Sequence, residues 1–443
     1  KRFAFIPPSP DFRTVIARSV ATKQSSRFDK LKAPSLSRGW IATARFAHLA
    51  MTTVQKLRVI SIIPALALAW LPASAAEPVR LYLANDDHTD YMWTADADTY
   101  GRVFVDQLDY YLKLTDETVG NPPPYQSRFN TDGSLWLWEY ERRKSSAEFA
   151  RVIERIKSGH LSAPLNAVVS CYGAQPTEAV LRGMYYAGRL ERRFGLRFTQ
   201  AGAMENQTLP LGLASLWAGA GAEFSWKGVC GCASKMRNAS LAQREHEIYW
   251  GTGLDGQRVL MKWHSFALPG GSKRSGGYAE AFDPVKAVRF LDSDAGFLAR
   301  YRSPGDSEPY RVRGAFGFGW DALDRKTGQP YLPDPKTYPP ADHFHLVAQR
   351  ASTAERQVIV SNQEDFFRDF AAHHGATLPA ESLTYGNEWD LYSASMAETS
   401  ARVRRSVEQL RTAEALAAVV SLHDPAAWRG REAARDQAFM DLG

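Results

Sequence analysis

The stretch "VRLYLANDDHTDYMWTADADTY", residues 79–100, decides how the chain is read. Val79, Leu81 and Leu83 recur at the period-two spacing of a strand, and the run then breaks into Asp86, Asp87, His88 and Asp90 with Trp93 close behind. A strand built for a core that ends in carboxylates, an imidazole and an indole is leaving the interior for a site. Residues two apart on an extended chain share a face, so Asp86, His88 and Asp90 are expected to point together if the strand persists. An imidazole nitrogen and a carboxylate oxygen at this spacing make half of a zinc site, and a neighbouring acid orients such a histidine through its other ring nitrogen. The structural alternative is a surface turn in which Asp and Thr bond the backbone.

Outward from this stretch, short apolar runs alternate with longer helical patterns. Strands are expected at 79–84, 165–170, 196–202, 222–227 and 258–266, and helices at 100–117, 146–160, 177–195 and 211–222. That alternation predicts parallel strands with crossover helices, hence an α/β layer or barrel, in which functional residues gather at the carboxyl ends of strands. His88 and Asp90 fall where the first strand ends. Residues 267–340 are dense in Gly and Pro and read as long surface loops. Val403, Val407, Leu410, Ala413, Ala417 and Val420 recur at steps of three and four, which describes an amphipathic helix over 396–420, with a second helix over roughly 426–442.

The 443 residues carry a formal net charge of +6, unevenly placed. Residues 1–76 hold 12 Lys and Arg against 2 Asp and Glu, so the rest holds 42 against 46 and gives no composition for a nucleic-acid face. Met51 opens a segment with Lys56 and Arg58, an apolar run from Val59 to Leu71, and Ala73-Ser74-Ala75. This is the pattern of a secretory signal peptide over 51–76, with residues 1–50 expected to be upstream translation and the mature chain periplasmic or secreted. The apolar run falls short of the about 20 residues a spanning helix needs, so no transmembrane span is expected in the mature chain. Cys171, Cys230 and Cys232 leave one bridge from Cys171 to the C-x-C pair open, and no fourth ligand for a cysteine zinc site is evident.

"HTDYMWT" resembles the H-x-D-x-x-W signature of the class II α-mannosidases, glycoside hydrolase family 38, and the resemblance continues in order through "FNTDGSLWLWEYERR", "RIKSGHLSAPLNAVVSCYG", "LERRFGLRF" and "LPAESLTYGNEWDLYSASMAETSARVRRSVEQLRTAEALAAVV". It implies a (β/α) barrel of about seven parallel strands over 77–350, followed by the start of a helical bundle over 351–443. It implies zinc held by His88 and Asp90, with Trp93 stacking on the sugar. The family's nucleophile is an Asp that also touches zinc. The matching stretch "AGAMENQTLPLGLASLWAGAGAEF" has no Asp, so Glu205 is the carboxylate in reach, as nucleophile and metal ligand, with Asn206 in the neighbouring slot. The alternative for Glu205 is a helix cap. "RGAFGFGWDAL" places Asp321 where the family's proton donor sits, with Trp320 and Phe318 to bury it. His264 beside Trp263 is a candidate cleft residue.

His343 and His345 form an H-x-H, and His373 and His374 read as solvated helix-end residues. The family's last ligand is a His followed by Asp. "SLHDP" offers His423 and Asp424, but the resemblance implies that the pair lies at the end of a helix farther on, after a segment like "REAARDQAFMDLG" and just beyond Gly443, so the chain is expected to carry an incomplete zinc site, which stoichiometric, tight zinc would contradict. The function implied is a zinc-dependent glycoside hydrolase on α-mannoside-like glycans. Two alternatives stand beside it: a zinc-dependent polysaccharide deacetylase, which wants an H-x-x-x-H that this sequence lacks, and a non-catalytic carbohydrate-binding remnant.

Overall fold

A computed structural model describes residues 77–89, 91–173, 175–203, 208–228, 246–263, 280–281, 283–317, 343–382 and 394–442. All belong to one compact unit, Pro72–Gly443. Strand β1 (Val79–Ala84) leads to helix α1 (Ala97–Thr118), whose first turn is capped by the Asp96 carboxylate accepting from the Thr99 amide. After β2 (Phe129–Asn130) come α2 (Leu135–Arg143) and α3 (Ser146–Lys157), the latter opened by a reciprocal Ser145–Glu148 capping box. Next are β3 (Leu161–Ser162), α4 (Thr177–Arg182), α5 (Tyr185–Phe194) and β4 (Gln200–Gly202). Then follow α6 (Leu213–Ala220), β5 (Phe224–Lys227), β6 (Ile248–Thr252) and β7 (Arg258–Trp263). Helices α7 (Pro284–Ser293) and α8 (Ala295–Arg300) precede β8 (Val312–Phe316), α9 (Phe344–Ala351), β9 (Arg356–Val360) and α10 (Gln363–His374). The described chain closes with β10 (Ala380–Ser382), α11 (Ala397–Ser421) and α12 (Glu432–Leu442).

The fold is α/β with mostly parallel pairing. β1 lies between β8 and β9, parallel to both, with Leu81 opposite Arg313 and Val358. A second ladder runs β10-β6-β7-β5-β4, antiparallel only between β6 and β7, and β2 pairs with β3. Among the described residues these ladders are three pieces, and a bridge between Asp86 and Asn130 carries β1 across to β2. Because β1 has a strand on each edge and packing on both faces, Tyr82 and Ala84 are buried along with Leu81 and Leu83, so its apparent alternation is that of a fully interior strand.

Helix α10 joins the two larger ladders. Phe366, Phe367 and Phe370 are fully buried; Phe367 stacks on Phe224 of β5 at 5.2 Å, while Phe366 meets Tyr82 and Phe316 edge-on at 5.8 and 5.1 Å. Gly314 of β8 leaves room for this, since a Cβ there would sit 2.8 Å from the Phe366 ring. A second aromatic core ties α1 to α2 and β2, with Phe104 on Trp136 at 4.6 Å and Tyr111 on Phe129 at 3.7 Å.

Several expectations change. Residues 165–170 form no strand; the edge is β3 at Leu161–Ser162, and Asn166 spends its groups on neighbouring backbone instead. The helix expected over 177–195 breaks at Gly183 and Met184 into α4 and α5, and the strand expected over 196–202 is confined to Gln200–Gly202. The last helix begins at Glu432, because 424–430 is spent in turns, one held by the Ala426 amide on Asp424. The amphipathic stripe of α11 is buried at Val407 and half-buried at Val403 and Leu410, packed on Ala179 and Leu442, while Ala413 and Val420 are exposed. His374 is not solvated: its ring is packed 4.7 Å from Tyr310 and 5.0 Å from Phe370, and that burial lowers its pKa.

Candidate active site at the ends of the parallel strands

The polypeptide beyond Ala84 stays inside the protein. Asn85, Asp86, Asp87 and His88 are all buried, and neighbouring elements supply hydrogen-bond partners to the first two. Asn130 at the end of β2 serves Asn85: its backbone amide and side-chain amide both donate to the Asn85 carbonyl, at 3.2 and 2.8 Å. Its Oδ1 accepts from the Gln363 amide at 2.8 Å and from the Ser162 hydroxyl at 2.6 Å. The Gln363 side chain then donates to Asp86 at 3.2 Å and accepts from Gln200 on β4. One amide network thus gathers the carboxyl ends of β1, β2 and β3, and the first residue of β4, at the start of α10. Beside it, Asn166 accepts from the Gly202 amide at 2.7 Å, and the Tyr172 hydroxyl donates to the Gly202 carbonyl at 3.1 Å.

The acids of the opening stretch divide between two environments. Asp86 belongs to the amide network through Gln363. Asp87 is fully buried, and neither of its oxygens meets a hydrogen-bond donor among the described residues. Loss of hydration, and then the charge of nearby Asp132, push its carboxyl well above the usual carboxylate range. The same burial, with Asp87 close by, raises the Tyr111 hydroxyl, and it pushes Tyr110 up to about 12.

Asp132 is the organising acid. Its Oδ2 accepts from the Thr89 amide at 2.9 Å and lies 3.9 Å from Nδ1 of His88, with both side chains 5% exposed. The following Gly133 lets the Asp-Gly turn press on the neighbouring backbone, since a Cβ there would meet the Ala167 carbonyl oxygen at 2.0 Å. The Trp136 indole donates to the Thr89 hydroxyl at 3.0 Å. Past Thr89 the chain reverses: Met92 has φ +64°, the only non-glycine residue with left-handed backbone among those described, and it presents Trp93 to solvent, 69% exposed. A flat, open indole beside a buried polar cluster is the shape of a sugar platform.

Of the expected site residues, His88 is buried just past the end of β1 and Trp93 lies five residues further on, exposed. Asp90, Glu205, Asn206, His264, Trp320 and Asp321 lie outside the described residues, as do Phe318, Cys230 and Cys232. Among the described residues no three His, Cys, Asp or Glu gather as a metal cluster, and His423 and Asp424 are exposed in a turn. The described half of the expected zinc site still fits the ion chemically, with a buried imidazole at the strand end and a carboxylate close to one of its nitrogens. Asp87, Asp132, Asn130 and Gln363 were not singled out by sequence reasoning. The signal for Asp132 was the Asp-Gly pair of "FNTDG", directly after a short apolar strand.

No family model matches the chain, and no curated protein matches its sequence. Solved structures similar in chain trace include an α-mannosidase from Enterococcus faecalis V583, at 14% identity and a TM-score of 0.48 over 69% of this chain and 30% of that one. A glycosyl hydrolase family 38 protein from Enterococcus faecalis matches at 14% identity and 0.41, over 69% and 28%. A 4-α-glucanotransferase from Thermococcus litoralis matches at 13% and 0.45, over 76% and 47%. The chain spans less than half the length of each of these three proteins. Likeness of this order identifies neither a substrate nor a reaction.

Proposed function

We propose that the protein is a zinc-dependent glycoside hydrolase acting on α-mannoside-like glycans, on a (β/α) barrel of about seven parallel strands, in a periplasmic or secreted setting. The observation that carries this reading is the buried Asn85–His88 strand end, with its imidazole beside Asp132 and an exposed Trp93 after it. A strand end so costly to bury is built for a purpose other than packing. Among the described residues no helix is long and apolar enough to cross a membrane.

His88 and Asp90 would hold the zinc, with Glu205 as a third ligand. Zinc, when bound, supplies a Lewis acid for the sugar's vicinal hydroxyls. Trp93 receives the apolar face of the ring. Glu205 attacks the anomeric carbon, and Asp321 protonates the leaving oxygen and then takes the proton from the incoming water. Turnover of an aryl α-mannoside tests the assignment: Glu205→Gln and Asp321→Asn are each expected to lose roughly 10²–10⁴-fold. Unaltered turnover in both variants would rule out these roles.

A further inference from the structure

The reading above assigns His88 to the metal and leaves Asp132 without a role. We infer that Asp132 is the positioning residue for His88: its carboxylate holds the imidazole with the proton on Nδ1, so that Nε2 presents its lone pair to a divalent cation. The inference rests on the metal reading of His88.

Three observations carry it. One oxygen, Oδ2 of Asp132, faces two consecutive residues, accepting from the Thr89 amide at 2.9 Å and lying 3.9 Å from Nδ1 of His88. That oxygen holds the backbone at Thr89 and faces the ring of the residue before it. The 3.9 Å gap is beyond hydrogen-bond length, and contacts of this kind commonly tighten when a site is loaded. The carboxylate itself is held firmly. Gly133 seats its turn against the Ala167 carbonyl, Thr131 Oγ1 donates to the Gly133 carbonyl at 3.1 Å, and Trp136 pins Thr89 from the far side at 3.0 Å. Finally, both side chains are almost wholly withdrawn from water, so the carboxylate acts on the ring through a medium of low dielectric. A carboxylate behind a metal-bound imidazole fixes its tautomer and strengthens it as a ligand.

Orientation separates from mere support of the loop, because Asp132→Asn keeps an oxygen for the Thr89 amide and removes only the charge. The first readout is the His88 tautomer in the metal-free chain, from two-bond proton–nitrogen correlation spectra: the proton is expected on Nδ1. The second is zinc affinity by competition with a chromogenic chelator, expected to weaken about ten- to a hundredfold in Asp132→Asn while the fold, by circular dichroism, is unchanged. A proton on Nε2 in the parent, or an Asp132→Asn affinity within about twofold of the parent, overturns the inference. Failure of the metal reading looks different. There, His88→Ala leaves zinc affinity where it was, while the parent still carries its proton on Nδ1.

Discussion

Replacing Asp87 by Asn tests the electrostatics of the strand end without touching a proposed ligand. In the folded protein the Asp87 carboxyl is fully buried and pushed well above its ordinary value of 3.8 by desolvation and by Asp132, whereas in the unfolded chain it ionises near that value. Between the unfolded and the raised folded value the folded state therefore binds more protons than the unfolded state, and stability falls as pH rises. For one full proton the slope is about 1.4 kcal/mol per pH unit, beginning just above the unfolded value and ending only at the raised folded one. Asn is nearly isosteric with the neutral acid and has no proton to lose. Asp87→Asn is thus expected to match the parent near pH 4 and to become the more stable of the two at higher pH, with the gap widening by up to about 1.4 kcal/mol per unit. Denaturant unfolding with a chelator present, repeated from about pH 5 to about pH 8, measures this directly. A gap that stays constant across that range would mean that Asp87 is ionised in the folded state, and the argument for a neutral buried acid would be wrong.

Other perturbations address separate parts of the account. Gly133→Ala drives a methyl into the Ala167 carbonyl and is expected to cost about 1–3 kcal/mol in denaturant unfolding. Glu280→Gln removes the charge that pairs with the fully buried Lys262 at 2.7 Å and accepts from the Phe316 amide, with an expected loss of about 3–5 kcal/mol; a loss under about 1 kcal/mol would show that the pair is solvated. Trp93→Ala, at a position 69% exposed, is expected to change stability by no more than about 0.5 kcal/mol while weakening retention on a mannan affinity gel.

What the sequence disclosed, and what it hid, follows from the range of the interactions involved. β1, α1 and α3 were legible because strand period, N-caps and the capping box are local, and β1 ends where its apolar residues do. Residues 165–170 looked like a strand from "LNAVVS", yet Asn166 is needed by Gly202 and Val168, and that demand, set 36 residues away, overrides local propensity. The division of Asp86 from Asp87 and His88 was equally hidden. A strict alternation would place Asp86 and His88 on one surface away from Asp87, one of them facing solvent, whereas all three are buried, Asp86 on Gln363 and Asp87 by Asp132. Gln363 lies 277 residues from Asp86, and no local pattern announces such a partner. His373 and His374, adjacent in sequence, meet different surroundings: one lies 3.0 Å from Asp369, the other among Tyr310 and Phe370, a distinction made by the rotation of a single helix.

The account turns on whether His88 grips a divalent cation. Zinc titration of the purified chain against a chromogenic chelator, side by side with His88→Ala, decides it. Binding short of tight, stoichiometric zinc is expected in the parent, as its incomplete ligand set implies, and is expected to fall by at least about a hundredfold in the variant, a loss of roughly 2.7 kcal/mol. Equal affinities, or no zinc bound by the parent, would contradict it.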